Sequence, residues 1–301
     1  MLWLLIWLCF LLIPGGAKAK GLHAQLILSW NLRPYWEFAE AFEETKLFKV
    51  RVDLLSEDPL PWPKADVLVP VGHRAYTFLL EKGQKPLWVA LVLHPSLLPR
   101  PAKSQSLTVL GGLYLRLPPE AVFPLLQEKL APLLGKREIV FGIPFSSSSN
   151  LSFIKESQSL GQIWGFKVVA LPLSEGLSAY QDKLRLVDVL YFLPDPFLES
   201  EEVISRLIKM AVLSQKIVVG YNRFFLKKGA LLALVIDYRA AGYKAARLLL
   251  GCLQGQKCGW EYAPFVLLWN EKAHHYYQKR EKPPPTQKPS SRLPAGWRKE
   301  K

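Results

Sequence analysis

The chain has 301 residues, 50% of them hydrophobic, and carries 39 lysines and arginines against 25 aspartates and glutamates, a net charge of +14. This apolar content supports one large domain or two modest lobes with their own cores, and it excludes disorder as a description of the whole. The basic excess draws the protein to anionic surfaces such as membrane headgroups; nucleic acid is set aside, because no element interleaves basic residues with aromatics and the chain reads as exported.

The chain opens MLWLLIWLCFLLIPGGAKAKG, with an apolar run from Leu2 to Ile13, a Pro/Gly break, and small residues at Ala17 and Ala19. This reads as a signal peptide over 1–19, which puts the mature protein in the periplasm or another exported space. No lysine or arginine precedes the run, and its length of about 12 residues falls short of the roughly 20 a membrane span needs. A retained N-terminal anchor is the alternative. Cys9 follows Trp7 and Leu8, where a lipid-attachment signal would need small residues. Export leaves Cys252 and Cys258, which an oxidising compartment would close into a small disulfide; two free thiols in a loop are the other reading.

Apolar runs of strand length then alternate with amphipathic stretches of helix length, the pattern of parallel sheets covered by helices. A first lobe reads AQLILSW, a helix over 35–45, LFKVRVD, ADVLVPV, a helix over 74–81, LWVALVL and LTVLGGLYL. A helix over 119–134 leads to Gly135 and a second lobe: REIVFGI, a helix over 150–164, FKVVALP, a short helix over 177–184, VDVLYFLP, a helix over 200–213 and KIVVGYN. GALLALVIDY, a helix over 239–250, the cysteine loop and FVLLWN form a third block, too small for a domain, that must complete the two sheets. Residues 280–301, rich in Pro, Lys and Ser, read as a disordered basic tail.

In open parallel sheets ligands bind beyond the carboxyl ends of the strands. That rule selects Ser29, Trp30 and Asn31 after the first strand, Gly72 and His73 after ADVLVPV, Ser146, Ser147, Ser149 and Asn150 after REIVFGI, Asp195 after VLYFLP, and Tyr221 and Asn222 after IVVG. Each has an ordinary structural reading as a cap, a turn or packing. Together they describe a cleft in which Asp195 holds an ammonium, helix N-termini and serines bind an anionic or hydroxylic group, and aromatic rings cover the apolar part. The ligand is then a small polar or zwitterionic molecule. Asn150-Leu151-Ser152 also spells a glycosylation acceptor.

Catalytic signatures are missing from the sequence: it holds no GxSxG, GxxxxGK[ST], HExxH or GxGxxG. His274 and His275 are adjacent on a predicted helix and point to different faces, and no set of residues calls for a metal or cofactor. A hydrolase built on Ser29 and His73 is a distant alternative that lacks an orienting acid.

Asp195, Tyr221, Gly229-Ala230-Leu231, Asp237-Tyr238 and Gly242, set in VDVLYFLPDPFLESEEVISRLIKMAVLSQKIVVGYNRFFLKKGALLALVIDYRAAGYKAARLLLG, together with Asn270 and Ala273 beyond it, resemble the ABC-transporter substrate-binding family of tryptophan and other amino-acid binders. LSWNLRPYWEFAEAFEE and DVLVPVGHRA are similar in a looser way. The resemblance implies an α/β type I periplasmic-binding-protein fold, with lobe 1 over 20–136 and 230–262, lobe 2 over 137–229 and 263–279, and a hinge near Gly135, Gly229 and Leu115–Pro118. It further implies a non-enzymatic, monomeric solute-binding protein that hands its ligand to an ABC permease in the inner membrane. A ligand sensor working with a sensor kinase or an outer-membrane receptor is the alternative. His73 and Trp30 depart from the family pattern, which usually has small hydroxyl or acidic residues there, so the ligand can differ from an aromatic amino acid.

Overall fold

The computed structural model describes residues 21–55, 63–82, 85–100, 107–135, 138–146, 148–175, 177–195 and 200–280. The expected signal segment, Ser147 and residues 281–301 of the expected tail lie outside the described residues.

The chain begins with β1 (His23–Leu28), α1 (Arg33–Glu44), β2 (Lys49–Leu54), β3 (Val67–Val71), α2 (His73–Lys82), β4 (Leu87–Val92) and β5 (Val109–Tyr114). It continues with α3 (Pro119–Leu134), β6 (Val140–Phe145), α4 (Leu151–Trp164), β7 (Lys167–Pro172), α5 (Leu177–Leu184), β8 (Val189–Tyr191), α6 (Glu201–Leu213), β9 (Ile217–Gly220) and α7 (Arg223–Lys227). Then come β10 (Leu232–Ile236), α8 (Tyr238–Leu253), β11 (Trp260–Tyr262), β12 (Phe265–Trp269) and α9 (Glu271–Arg280).

Two six-stranded sheets result, in the orders β11-β5-β4-β3-β1-β2 and β12-β10-β9-β8-β6-β7. All pairings in the first sheet are parallel. The second departs from the all-parallel expectation at one edge, where β12 runs antiparallel to β10. Central strands such as β4 (LWVALV) are buried at every position, which is why they are continuous apolar runs with no alternation.

The pairings also move the lobe boundaries. The expected division at 229/230 gave β10 to lobe 1, but β10 pairs with β9 and β12 in the second sheet, and Leu231, Leu232 and Leu234 share a core with Phe141 and Val219. Helix α3, expected in lobe 1, buries Val122, Phe123, Leu126 and Leu130 in that same core. The chain therefore crosses between lobes at 115–118, at Asp237 and at 263–264. Gly135 and Gly229 lie within lobe 2; Gly135 is the left-handed residue that ends α3. Of the expected hinge positions, only Leu115–Pro118 is a crossing. The three crossings lie side by side, tied by Ala263 N–H to the Tyr114 carbonyl (2.8 Å) and Asp237 N–H to the Pro264 carbonyl (2.9 Å).

Several residues of the family-like pattern turn out to shape the fold. Asp237 Oδ1 accepts from Ala240 N–H at the start of α8 (2.9 Å), and Asn270 Oδ1 accepts from Ala273 N–H at the start of α9 (3.2 Å) while its Nδ2 donates to the Leu226 and Ala230 carbonyls. Gly242 sits where α8 crosses α1, and a Cβ there would collide with the Phe38 carbonyl oxygen. Cys252 and Cys258 form a disulfide, and the chain just after it lays Gly259 against β5, whose Gly112 N–H donates to the Gly259 carbonyl (2.9 Å).

Candidate ligand site between the lobes

A cavity of about 250 Å³ lies between the sheets, beside the crossings. Lobe 1 contributes Leu93, just past β4, and Tyr238, which opens α8. The first crossing contributes Leu115, Arg116 and Leu117. From lobe 2 come Tyr191 and Leu193 at the end of β8, Tyr221 and Asn222 after β9, and Leu234 and Ile236 of β10. Apart from Leu234, in the middle of β10, the contributions named here come from at or just beyond a strand's carboxyl end or from on or next to a crossing, where parallel sheets leave side chains convergent.

Arg116 is the charged group of this lining, and it is only 4% exposed. Its Nη2 donates to Asn150 Oδ1 (2.9 Å). Asn150 is 0% exposed, and its Nδ2 donates to Asp195 Oδ2 (2.9 Å) and to the Pro194 carbonyl (3.3 Å). Asp195, 6% exposed, also accepts from the Ser146 N–H at Oδ2 (3.0 Å) and from the Ser146 hydroxyl at Oδ1. The result is a chain of polar groups from the crossing through the start of α4 to the loop after β8. Burial pushes the Arg116 pKa down, and the neighbouring Tyr191 and Asp195 offset this only in part. Tyr191 and Tyr238 are pushed up chiefly by burial, so both phenols are neutral hydroxyls at physiological pH.

The expected residues divide accordingly. Tyr221 and Asn222 line the cavity, and Asn222 Oδ1 also accepts from Phe224 N–H at the start of α7 (3.0 Å). Ser146, Asn150 and Asp195 come together as the network behind Arg116; Ser147 lies outside the described residues, and Ser149 falls in the short turn over 148–150 that precedes α4. Ser29 is buried and its hydroxyl accepts from Ala75 N–H (2.8 Å), so it serves the first turn of α2. Gly72, at φ +92°, packs so closely on Ser29 and Tyr35 that a Cβ would overlap both, and its N–H donates to the Ala90 carbonyl. His73 is exposed at the first position of α2, Trp30 is 51% exposed beneath the Arg74 guanidinium, and Asn31 accepts from Trp36 Nε1 (2.8 Å). These lobe 1 residues form the carboxyl edge of their sheet and do not line the cavity. Sequence reasoning missed Arg116, Tyr191 and Tyr238. The signal for Arg116 was a single cation in the apolar stretch LYLRLPP at an expected hinge.

A second cavity of about 270 Å³ shares Arg116 and Leu117 with the first and is faced by His94, Tyr114, Glu120, Phe153 and Glu156. His94 Nδ1 accepts from Ser96 N–H (3.3 Å), its ring meets Tyr114 edge to face at 5.2 Å, and burial followed by the Arg116 charge lowers its pKa. Burial, followed by repulsion from Glu120, raises the Glu156 carboxyl. A more open depression of about 670 Å³ beside α1 and β2 is lined mainly by Glu40, Glu43, Glu44, Lys46 and Lys49, a solvated charged surface away from the convergent strand ends. Among the described residues no cluster of three or more His, Cys, Asp or Glu side chains could hold a metal ion, and no helix is long and apolar enough to cross a membrane.

No known family profile matches the sequence, and no curated protein matches it. Solved structures do. A ligand-free, open substrate-binding protein with adhesive properties from Clostridium difficile superposes with a TM-score of 0.62 at 16% identity, over 89% of this chain and 96% of that one. An ABC domain from Streptococcus pneumonia in complex with L-Trp gives a TM-score of 0.55 at 15% identity, over 86% and 95%. A conserved domain protein from Vibrio cholerae gives 0.54 at 17%, over 85% and 94%. With two six-stranded sheets joined by three adjacent crossings, this chain shares the two-lobed α/β type I periplasmic-binding-protein fold of these structures.

Proposed function

We propose that this is an exported solute-binding protein that captures a small solute bearing a polar or charged group between its lobes and presents the closed form to an ABC permease. The observation that carries the reading is the cavity itself: strand ends from both sheets and the first crossing all contribute to its wall, so rotation about the crossings opens or seals it. Its volume of about 250 Å³ suits a molecule of amino-acid size, below the roughly 300–1,000 Å³ typical of drug-sized sites. The L-Trp complex of the streptococcal structure supports the same reading, as does the adjacent network, in which Asp195 is a strut that holds Ser146 and Asn150 behind Arg116. Among the described residues no hydrogen bond joins His73 to Ser29, and the buried Ser29 hydroxyl is engaged with α2, which weighs against the hydrolase alternative.

A thermal-shift screen of amino acids, organic acids, nucleosides and sugars, followed by calorimetry, tests the reading. A true ligand at a hundredfold excess over its Kd stabilises the native state by about 2.7 kcal/mol. Loss of uptake of that same solute on gene deletion is required for the transport role. Failure of every solute class to shift the melting curve would remove the reading.

A further inference from the structure

Resting on the solute-binding reading, we infer that the preferred ligand is a small monocarboxylate, an anionic head on an apolar body, and that it needs no ammonium group. The lining sorts into two chemistries. Leu93, Leu115, Leu117, Leu193, Leu234 and Ile236 make the greater part of the wall apolar. The polar remainder is biased toward donors. Arg116 is a cation with N–H donors only. Asn222 commits its Oδ1 to the Phe224 N–H, which leaves the Nδ2 end to donate. Tyr191, Tyr221 and Tyr238 add hydroxyls.

Those hydroxyls can also accept, but they carry no charge, and an ammonium needs an anion. No lining residue carries a carboxylate among the described residues. The Pro194 carbonyl already accepts from Asn150 Nδ2. Asp195, the acid expected to receive an ammonium, accepts three hydrogen bonds from Ser146 and Asn150 and does not line the cavity. A ligand ammonium here would lose its hydration, find no anion and lie close to the Arg116 charge, whereas a carboxylate would meet that charge and the surrounding donors.

Calorimetry on the full chain with matched ligand sets tests this. One set is 3-phenylpropionate, phenylalanine and phenethylamine; the other is 4-methylpentanoate, leucine and 3-methylbutylamine. Each acid is expected to bind at least tenfold more tightly than its amino acid, and the amine at least a hundredfold more weakly than the acid. Arg116→Gln should remove acid binding and Arg116→Lys should restore part of it, with circular dichroism melts showing that both variants fold. An amino acid that binds tenfold more tightly than its deaminated acid overturns the inference and leaves the solute-binding reading standing. Binding of sugars or nucleosides with none of any carboxylate does the same. If no member of these sets or of the wider solute panel binds, both fall.

Discussion

Replacing Asn150 by alanine cuts the polar chain behind the cavity at its middle. Three hydrogen bonds go: Arg116 Nη2 to Asn150 Oδ1 at 2.9 Å, Asn150 Nδ2 to Asp195 at 2.9 Å, and Asn150 Nδ2 to the Pro194 carbonyl at 3.3 Å. Two of them involve a charged partner, each worth about 1.5–3 kcal/mol, and the long neutral one about 0.5 kcal/mol. Arg116 and Asp195 are 4% and 6% exposed, so solvent makes up little of the loss unless water enters the gap. The expected cost is about 3.5–6.5 kcal/mol, a large part of the roughly 5–15 kcal/mol that holds a domain together. Urea unfolding followed by far-ultraviolet circular dichroism measures it, with Ser152→Ala as the exposed control. Ligand affinity should fall as well, because Arg116 loses one of the acceptors that orient it. A loss below about 1 kcal/mol with unchanged affinity would refute the view that this network positions the site. The burial of Asn150 carries a second consequence: produced through a glycosylating secretory pathway, the folded protein should carry no glycan at Asn150, which mass spectrometry of the intact chain would show.

Changing Tyr221→Ala or Leu234→Asp should weaken ligand binding by tenfold or more, whereas His73→Ala should change it less than twofold, since His73 lies exposed off the cavity; calorimetry decides, and the reverse order would move the site to the edge of lobe 1. Cys252→Ser should lower stability by roughly 2 kcal/mol, the value for a closed loop as short as this one, and leave Cys258 titratable by a thiol reagent in the folded protein. Because burial lowers the His94 pKa, the unfolded chain binds its proton more readily than the native one. Stability from this group is therefore complete above the ordinary histidine pKa of about 6.5 and is lost as pH falls through the lower native value. His94→Gln should flatten the decline in melting temperature below pH 6.5. Glu156, raised by burial, acts in the opposite sense within the carboxylate range, so an unchanged slope in the histidine range would refute the assignment.

The strands were legible because both sheets bury their central members on two faces, which leaves runs such as LWVALV that no exposed element could tolerate. The helices over 119–134 and 177–184 fall on the expected residues. What failed was partition. Nothing local in GALLALVIDY says which of two similar sheets it joins; that is decided by Leu231, Leu232 and Leu234 packing with Phe141 and Val219, contacts far apart in sequence. The same limit applied to the site. Polar residues at strand ends were easy to select, yet Ser29, Asn31 and Asn222 bond to backbone or ring N–H groups, and Asp195 serves Ser146 and Asn150. A side chain that caps a helix and one that touches a ligand look identical in sequence, since both need an acceptor beyond a strand. The lining is mostly apolar, and an apolar residue at a cleft reads as core.

Arg116 lies on the one expected hinge stretch that is a crossing, yet strand-end reasoning did not select it, because it follows β5 on a connecting segment. There residues 115–117 carry the chain past the cavity. The Arg116 N–H donates to the Leu93 carbonyl at the end of β4 (2.9 Å), while its side chain donates to Asn150 at the start of α4. One residue thus holds lobe 1 by its backbone and lobe 2 by its side chain, with its guanidinium at the cavity wall. Rotation about the crossings must alter one of those attachments or carry the guanidinium with lobe 2. On the solute-binding reading proposed above, a ligand held by Arg116 would contact the segment about which the lobes turn, and it would favour one arrangement to the extent that its contacts with Arg116 differ between the two. That difference is the physical requirement for a ligand to shift a two-state equilibrium.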